Sequence, residues 1–252
     1  MSTLSLVLRG VWQWLKLVLW AALGLQLFFV LHIASMRFID PPSTAFERSQ
    51  IWQIIKTQGQ LPWRQQWVDV SQLSKHLQRA VMASEDSAFL QHNGVWWDSI
   101  EKAWGRNAKA KAQAEQRTAK RGEKTATPPV KIVGGSTITQ QLAKNLLLSG
   151  ERTLWRKGQE FMITLALETF LSKKRILEIY LNHVEWGEGV FGAEAASRHY
   201  FKKSANQLSP WEAARLSVML PRPRFFEKRP QSPYLADRAQ TIVTRMNDVN
   251  AP

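Results

Sequence analysis

The sequence contains no cysteine. That excludes a disulfide scaffold, a thiolate zinc site and a thiol nucleophile, and leaves the compartment open, because an exported chain need not carry disulfides. Acids are scarce: 20 Asp and Glu stand against 34 Lys and Arg, a formal net charge of +14. An excess of that size argues for an anionic partner, whether nucleic acid, a membrane surface or a phosphorylated substrate. Long alternating apolar–polar segments are missing, as is any tandem repeat. A small hairpin is the most β-structure the pattern allows. What is plentiful is tryptophan, 12 in 252 residues, a residue of cores and of membrane–water interfaces alike. The length suits one domain with an appendage, or two small domains.

The appendage is N-terminal. From Leu17 to Ala34 the strongly polar side chains are only Gln26 and His32. Extended back through Val11–Leu15 across Lys16, the run reaches the roughly 20 residues a bilayer core requires. Lys16 lies near the end of the span and can snorkel to the headgroups, and Trp12, Trp14 and Trp20 suit an interfacial belt. Arg9 and Lys16 precede the span and Arg37 follows it, which favours a cytoplasmic N-terminus. A cleavable signal peptide is the rival, but the apolar run exceeds a typical signal core and no small-x-small site follows it. The expectation is an anchor over 1–37 and a domain over 38–252 outside the inner leaflet, where DNA is a poor candidate partner.

After the stiff Asp40-Pro41-Pro42-Ser43 exit, the chain reads as mostly helical. Leu73, Leu77, Ala80 and Val81 give Ser71–Ser84 a core-facing stripe, and Ile138, Leu142 and Leu146 do the same for Ser136–Leu148. Glu151–Phe170, Ser172–Leu181 and Tyr234–Met246 are further helices. Ser209-Pro210-Trp211-Glu212 is a capping box with proline at the first helical position, and the helix it opens should end before Pro221. Residues 102–131 differ from the rest, with nine Lys or Arg against Glu115 and Glu123 and almost no apolar side chain after Trp104. Such a stretch cannot bury enough surface to order itself. It is expected to be a mobile basic insertion, and it could also serve as a flap drawn to anionic lipid or substrate phosphates.

Three segments carry chemistry. Glu85-Asp86, followed by Phe89, His92 and Gly94, places an acidic pair at a helix C-terminus, where the macrodipole prefers cations. A surface pair with a core phenylalanine, a structural histidine and a turn glycine is the plain alternative. Gly134-Gly135-Ser136-Thr137 opens a helix, so free N–H groups and two hydroxyls could bind an anion. Gln141, Lys144 and Asn145 then follow on one face, against the alternative of a capped helix with a polar outer side. Arg152, Arg156 and Glu160 recur at i, i+4, i+8 beside Lys157, which surface pairing also explains.

Together these segments, followed by Lys174-Arg175-Ile176-Leu177-Glu178-Ile179-Tyr180-Leu181-Asn182, resemble the ordered motifs of the bacterial peptidoglycan glycosyltransferases. That family comprises the monofunctional biosynthetic transglycosylases and the N-terminal domains of class A penicillin-binding proteins. Gly189, Gly192, Ala195-Ala196 and Tyr200-Phe201 are similar to its later helix, and the likeness spans roughly residues 70–225. Lys202 stands where many members carry glycine, and the basic stretch is longer than the family leads one to expect.

The resemblance implies a mostly α, lysozyme-like domain behind a transmembrane helix, on the periplasmic side of the bacterial inner membrane. It implies extension of a lipid-linked glycan strand by lipid II, with inversion at the anomeric carbon and release of undecaprenyl diphosphate. Glu85 matches the general base, which nearby cations would help keep ionised. Glu160 matches the second catalytic glutamate, on the leaving-group side, ordering cations or helping a divalent metal. By glycosidase analogy the two carboxyls of an inverting site lie about 6.5–9.5 Å apart and would face each other across a cleft. Ser136, Thr137, Gln141, Lys144, Asn145, Arg152 and Lys157 would hold the pyrophosphate. Asp86, Phe89, His92 and Gly94 would build the site, with Glu178, Tyr180 and Asn182 supporting the cleft. No cofactor is obligatory, with Mg or Mn as the divalent ion to consider. Partners would be the membrane, lipid II, the lipid-linked strand and other cell-wall synthases or division proteins. Trp52, Trp63, Trp67, Trp96 and Trp97 could dip a second surface into the outer leaflet, or be core. Three rivals remain: a lytic muramidase, which would have no use for the cation cluster; a silent membrane scaffold, against which the intact Glu85 and Glu160 argue; and a nucleic-acid binder, resting on charge alone.

Overall fold

The computed structural model describes residues 3–121, 135–148, 150–151 and 153–252. Helix α1 (Thr3–Ser35) contains a stretch, Val7–Ser35, of mean hydropathy 2.1 that is long and apolar enough to cross a membrane. Its far end is no free tether. Ile33 and Met36 are buried in the main core, and the Arg175 guanidinium donates to the carbonyls of Met36 (2.7 Å) and Ile39 (3.2 Å) and pairs with Asp40. Further into the span, Gln26 and Gln159 exchange amide hydrogen bonds of 2.7 and 3.2 Å. Each amide thereby relieves the other of the cost of standing unpaired in an apolar setting.

Helix α2 (Ala45–Gln58) starts at a capping box between Thr44 and Glu47. Buried Glu47 also faces His183, whose Nε2 donates to the Pro41 carbonyl at 3.1 Å. The proline exit is therefore fastened to the domain behind it. Strand β1 (Arg64–Gln65) follows, then α3 (Lys75–Glu85), with Ser74 as N-cap accepting from His76 N–H. The expected start at Ser71 is too early. Val70–Gln72 forms a separate short turn, and Leu73 is buried from the link between them.

The largest departure from expectation is α4 (Trp97–Arg121), a helix running through most of what composition marked as an unordered insertion. The composition argument asks only whether apolar surface can be buried. This segment is instead rich in Ala, Lys, Gln and Arg, the residues with the least cost of helix formation. Its described side chains are exposed or half-buried. The remainder of the basic stretch, from residue 122 to 131, lies outside the described residues.

Helices α5 (Ile138–Leu147), α6 (Leu154–Phe170) and α7 (Lys173–His183) each begin at a hydroxyl N-cap, Thr137, Thr153 and Ser172. Helix α5 packs on α2, α6 and α7, with Leu142 and Leu146 inside, and α6 lies along α1. The hairpin is β2 (Glu185–Gly187) with β3 (Val190–Phe191). The expected limit of one hairpin falls short by a strand, because β1 pairs parallel to β3. A two-residue strand is too short to show alternation in the sequence. Gly189 turns the hairpin at φ +70°, and a Cβ there would lie 2.2 Å from the Pro62 carbonyl oxygen. Helix α8 (Ala193–Phe201) ends on Lys202 in the left-handed region, φ 59°, a conformation that favours glycine. Helix α9 (Pro210–Met219) has the expected Ser209–Glu212 box, and α10 (Pro223–Glu227) and α11 (Pro233–Arg245) complete the chain. Helices α3, α9 and α11 pack together. The end of α3 meets α5 through Glu85 and Asp86, which accept from Gln141 and from the Ile138 N–H.

Candidate active site

Glu85 is the last residue of α3 and is half-buried. Gln141 donates to its Oε2 at 3.0 Å, and the Ser84 hydroxyl donates to Oε1 at 3.4 Å. Gln141 is itself held: the buried Tyr180 hydroxyl donates to its Oε1 at 3.0 Å. With the amide oxygen committed to Tyr180, the amide NH₂ must face Glu85. Burial pushes the Glu85 carboxyl above its ordinary range, the two hydrogen bonds pull it back in part, and neighbouring Asp86 pushes it up further. The expectation that nearby cations hold Glu85 ionised is corrected here, since neutral donors surround it. Burial, with Glu85 and Asp86 nearby, likewise pushes the Tyr180 phenol well up, so it stays a donor.

Asp86 is buried and points the other way. Both its oxygens face His92 Nε2, at 2.9 and 3.0 Å, and Oδ2 also accepts from the Ile138 N–H at 3.1 Å. Gly94 N–H donates to His92 Nδ1 at 3.1 Å, which leaves the ring's proton on Nε2, facing Asp86. Phe89 is fully buried, with the Lys173 ammonium 4.6 Å from its ring centroid. Gly94 sits at φ +82°, where a Cβ would come within 2.6 Å of Thr164 and 2.9 Å of Glu168. These contacts tie the segment from Asp86 to Gly94 to the start of α5 and to α6.

The start of α5 is the site's main correction. Its first N–H is taken by Asp86, and Thr137 and Gln140 satisfy each other through a capping box. Thr137 is buried and spends its hydroxyl twice, accepting from Gln140 N–H and donating to the Gly94 carbonyl at 2.6 Å. It is a structural cap rather than a pyrophosphate ligand. The anion at this helix N-terminus is the protein's own carboxylate, which satisfies the same donors and dipole that a phosphate would. Ser136 remains exposed. It lines a cavity of about 150 Å³ together with Glu85, Trp96 and Arg245. Arg245, at the end of α11, carries no local motif, and no sequence signal links it to Glu85.

The second cluster begins one turn along α5 from Gln141. Lys144 is exposed at its surface. Desolvation pulls its pKa down, Glu160 pulls it back up, and Arg156 and Lys157 lower it again. Glu160 is buried on α6, with Arg156 donating to Oε2 at 2.8 Å and Lys157 to Oε1. The i, i+4 spacing of Arg156 and Glu160 was the signal for that pair. Asn145 is half-buried on the same helix as Lys144, and Arg152 lies outside the described residues. Both Glu160 oxygens are thus committed to cations. Among the described residues no group of three or more His, Asp or Glu could hold a metal ion.

Glu178 and Asn182 tie α7 to the segment that precedes α3. Glu178 accepts from Val70 N–H at 2.8 Å, and Asn182 exchanges two 2.9 Å bonds with the backbone of Val68. Tyr180 does more, because it orients a ligand of Glu85. Of the five tryptophans considered for a second membrane surface, Trp52 and Trp97 are exposed. Trp63 stacks on Phe191, Trp67 packs on the core and Trp96 stacks on His92.

Comparison with known proteins shows the family. Residues 53–247 match the family model described as Transglycosylase. The chain is 46% identical over 248 residues to the biosynthetic peptidoglycan transglycosylase of Burkholderia thailandensis, covering 97% of this chain and 90% of that one. It is 47% identical over 232 residues to the protein of that name from Burkholderia orbicola, covering 92% and 87%. The corresponding figures for that of Paraburkholderia xenovorans are 46% over 232 residues, covering 92% and 89%.

Proposed function

The chain belongs to the transglycosylase family and is a glycosyltransferase of peptidoglycan synthesis; from that premise we propose that it polymerises lipid II with Glu85 as general base. The observation that carries the reading is the arrangement along α5. Gln141 reaches a carboxylate among neutral donors, and Lys144, one turn on, reaches a cluster of cations around a second carboxylate. A carboxyl held above its ordinary range is, once ionised, a stronger proton acceptor than a free one. Glu85 takes the proton of the acceptor's 4-hydroxyl as that oxygen attacks the anomeric carbon of the lipid-linked strand. The bond from that carbon to phosphate breaks on the opposite face, inverting the configuration, and undecaprenyl diphosphate leaves. Negative charge gathers on the departing diphosphate, where Lys144, Arg156 and Lys157 are placed to stabilise it. Glu160 orders Arg156 and Lys157.

The apolar α1 fits an anchor in the inner membrane with the domain on its periplasmic side, as the basic residues before the span favour. Both substrates carry lipid tails, so a tethered enzyme meets them within two dimensions at high effective concentration. The test is Glu85→Gln assayed on purified lipid II, with lipid binding followed in parallel. Loss of strand synthesis with binding retained supports the reading, and full activity of the variant ends it.

A further inference from the structure

A group of charges that the reaction leaves unused stands at the other end of α3. Lys75 and Glu85 are the first and last residues of that helix, about 15 Å apart along its axis at 1.5 Å per residue. Around Lys75 two cavities adjoin, of about 470 Å³ and about 710 Å³, and Ser71, Leu73 and Lys75 line both, so that they form one groove. Its floor is already fixed. Glu178 accepts from the Val70 N–H at 2.8 Å, and the Gln78 amide donates to the carbonyls of Val70 (2.9 Å) and Leu73 (3.1 Å). The Ser74 hydroxyl donates to the Leu208 carbonyl at 3.2 Å. Above that floor Ser71, Gln72, Lys75 and His76 are exposed. A site formed before its ligand arrives loses little to ordering when it binds.

The smaller cavity is cationic. Lys75, Arg79 and Lys174 line it, and among the described residues no acidic side chain does. The three side chains have no hydrogen bond or ion pair among the described residues. Arg79 is the most exacting of them, because it is half-buried and its Nε is shut off from solvent with no acceptor. A buried donor without a partner is destabilising, and folded chains keep few of them. An anion in this cavity would supply the missing acceptor to the guanidinium. The larger cavity is lined instead by hydroxyls and amides, those of Ser71, Ser204, Gln66, Gln72 and Asn206. Its one acid, Glu194, is taken up by Arg198, the Ser204 hydroxyl and the Ala205 N–H. Free hydroxyls and primary amides match the hydroxyl and acetamido groups of an amino-sugar chain.

We propose that this groove holds peptide-bearing glycan that has already been polymerised. The sugars lie along the hydroxyl and amide section, and a carboxylate of an attached peptide enters the cavity of Lys75, Arg79 and Lys174. The inference rests on the proposed synthesis of glycan strands and adds a place for them outside the reacting cleft. A strand held at a second point stays at high effective concentration near the enzyme between additions.

The cysteine-free chain permits a local readout. Asn250, exposed at the cationic cavity, is replaced by a single cysteine carrying a fluorophore, in the full chain in detergent and without lipid II. Soluble glycan strands with their peptides intact should change the emission saturably. Strands stripped of peptide by an amidase should bind about tenfold more weakly, the scale of one charge-assisted hydrogen bond. Lys75→Glu combined with Lys174→Glu, two exposed positions, should weaken intact strands by about tenfold or more and leave turnover of lipid II in place. Arg79→Met should weaken binding yet raise Tm in the absence of strands, because it removes an unpaired buried donor. Equal affinity for intact and stripped strands, no response at position 250, or binding that survives the double charge reversal each overturns the proposal. So does an Arg79→Met variant with lowered Tm and unchanged binding. Strand synthesis from lipid II in the same preparation reports the proposed reaction separately. A chain that polymerises but gives no signal at 250 fails this inference alone, and one that binds strands but makes none fails the other.

Discussion

The two glutamates of the site have opposite surroundings. Glu85 is met by an amide and a hydroxyl, with the nearest acid pushing its carboxyl up. Glu160 is more deeply buried and has a cation on each oxygen. Both are removed from water, so the type of donor distinguishes what each can do. A carboxylate with a cation on each oxygen has both acceptor positions taken and holds those cations in place. One held by neutral donors, with burial pushing its carboxyl up, is the better suited of the two to exchange a proton.

Several measurements would break or sharpen this contrast. The largest effect is expected from Glu85→Gln, which should cost about 10²–10⁴-fold in turnover, the usual contribution of a proton-transfer group, with KM changed far less. Lys144→Ala should cost about 10²-fold, the scale of losing one donor to developing charge, and should weaken substrate binding too. The same two carboxyls should respond with opposite sign in stability. An acid whose carboxyl is pushed up in the fold adds stability below the ordinary carboxylate range and gives it up as pH rises through the raised value. Glu85→Gln should therefore raise Tm at neutral pH, and the gain should close as pH falls. Glu160→Gln removes the charge that two cations share and should lower stability by about 1–3 kcal/mol, seen as a drop in Tm. Tyr180→Phe should have the smallest effect, about 0.5–1.5 kcal/mol from one neutral hydrogen bond. It should appear as a several-fold loss of kcat with KM nearly unchanged, because it frees the Gln141 amide to turn away from Glu85.

Much of the fold was legible because helix periodicity and caps are local signals. Ser209 and Glu212 announce a helix start at a spacing of three, and Leu142 and Leu146 announce a buried face. The candidate site was legible through its ordered motifs, but its wiring was not. Asp86 reaches the Ile138 N–H across 52 positions, and Tyr180 reaches Gln141 across 39. Neither pairing leaves a trace in local spacing. Thr137 was misplaced because a hydroxyl at a helix start reads equally well as a cap or as an anion ligand. The choice depended on whether a carboxylate from another element already stood there. Helix α4 was missed because a lack of burial was read as a lack of order, while helix propensity pointed the other way. Arg245 carries no motif and reaches the Glu85 cavity only through the packing of α11 on α3.

The division of labour between the two carboxyls is tested most directly by the pH dependence of kcat/KM on lipid II in three proteins: the unaltered chain, Gln141→Leu and Lys157→Ala. The acid limb should lie above the ordinary carboxylate range. It should move higher in Gln141→Leu, which removes a hydrogen bond that favours the ionised form, and stay in place in Lys157→Ala. An acid limb that ignores Gln141, or one that moves with Lys157, would contradict the assignment of proton transfer to Glu85.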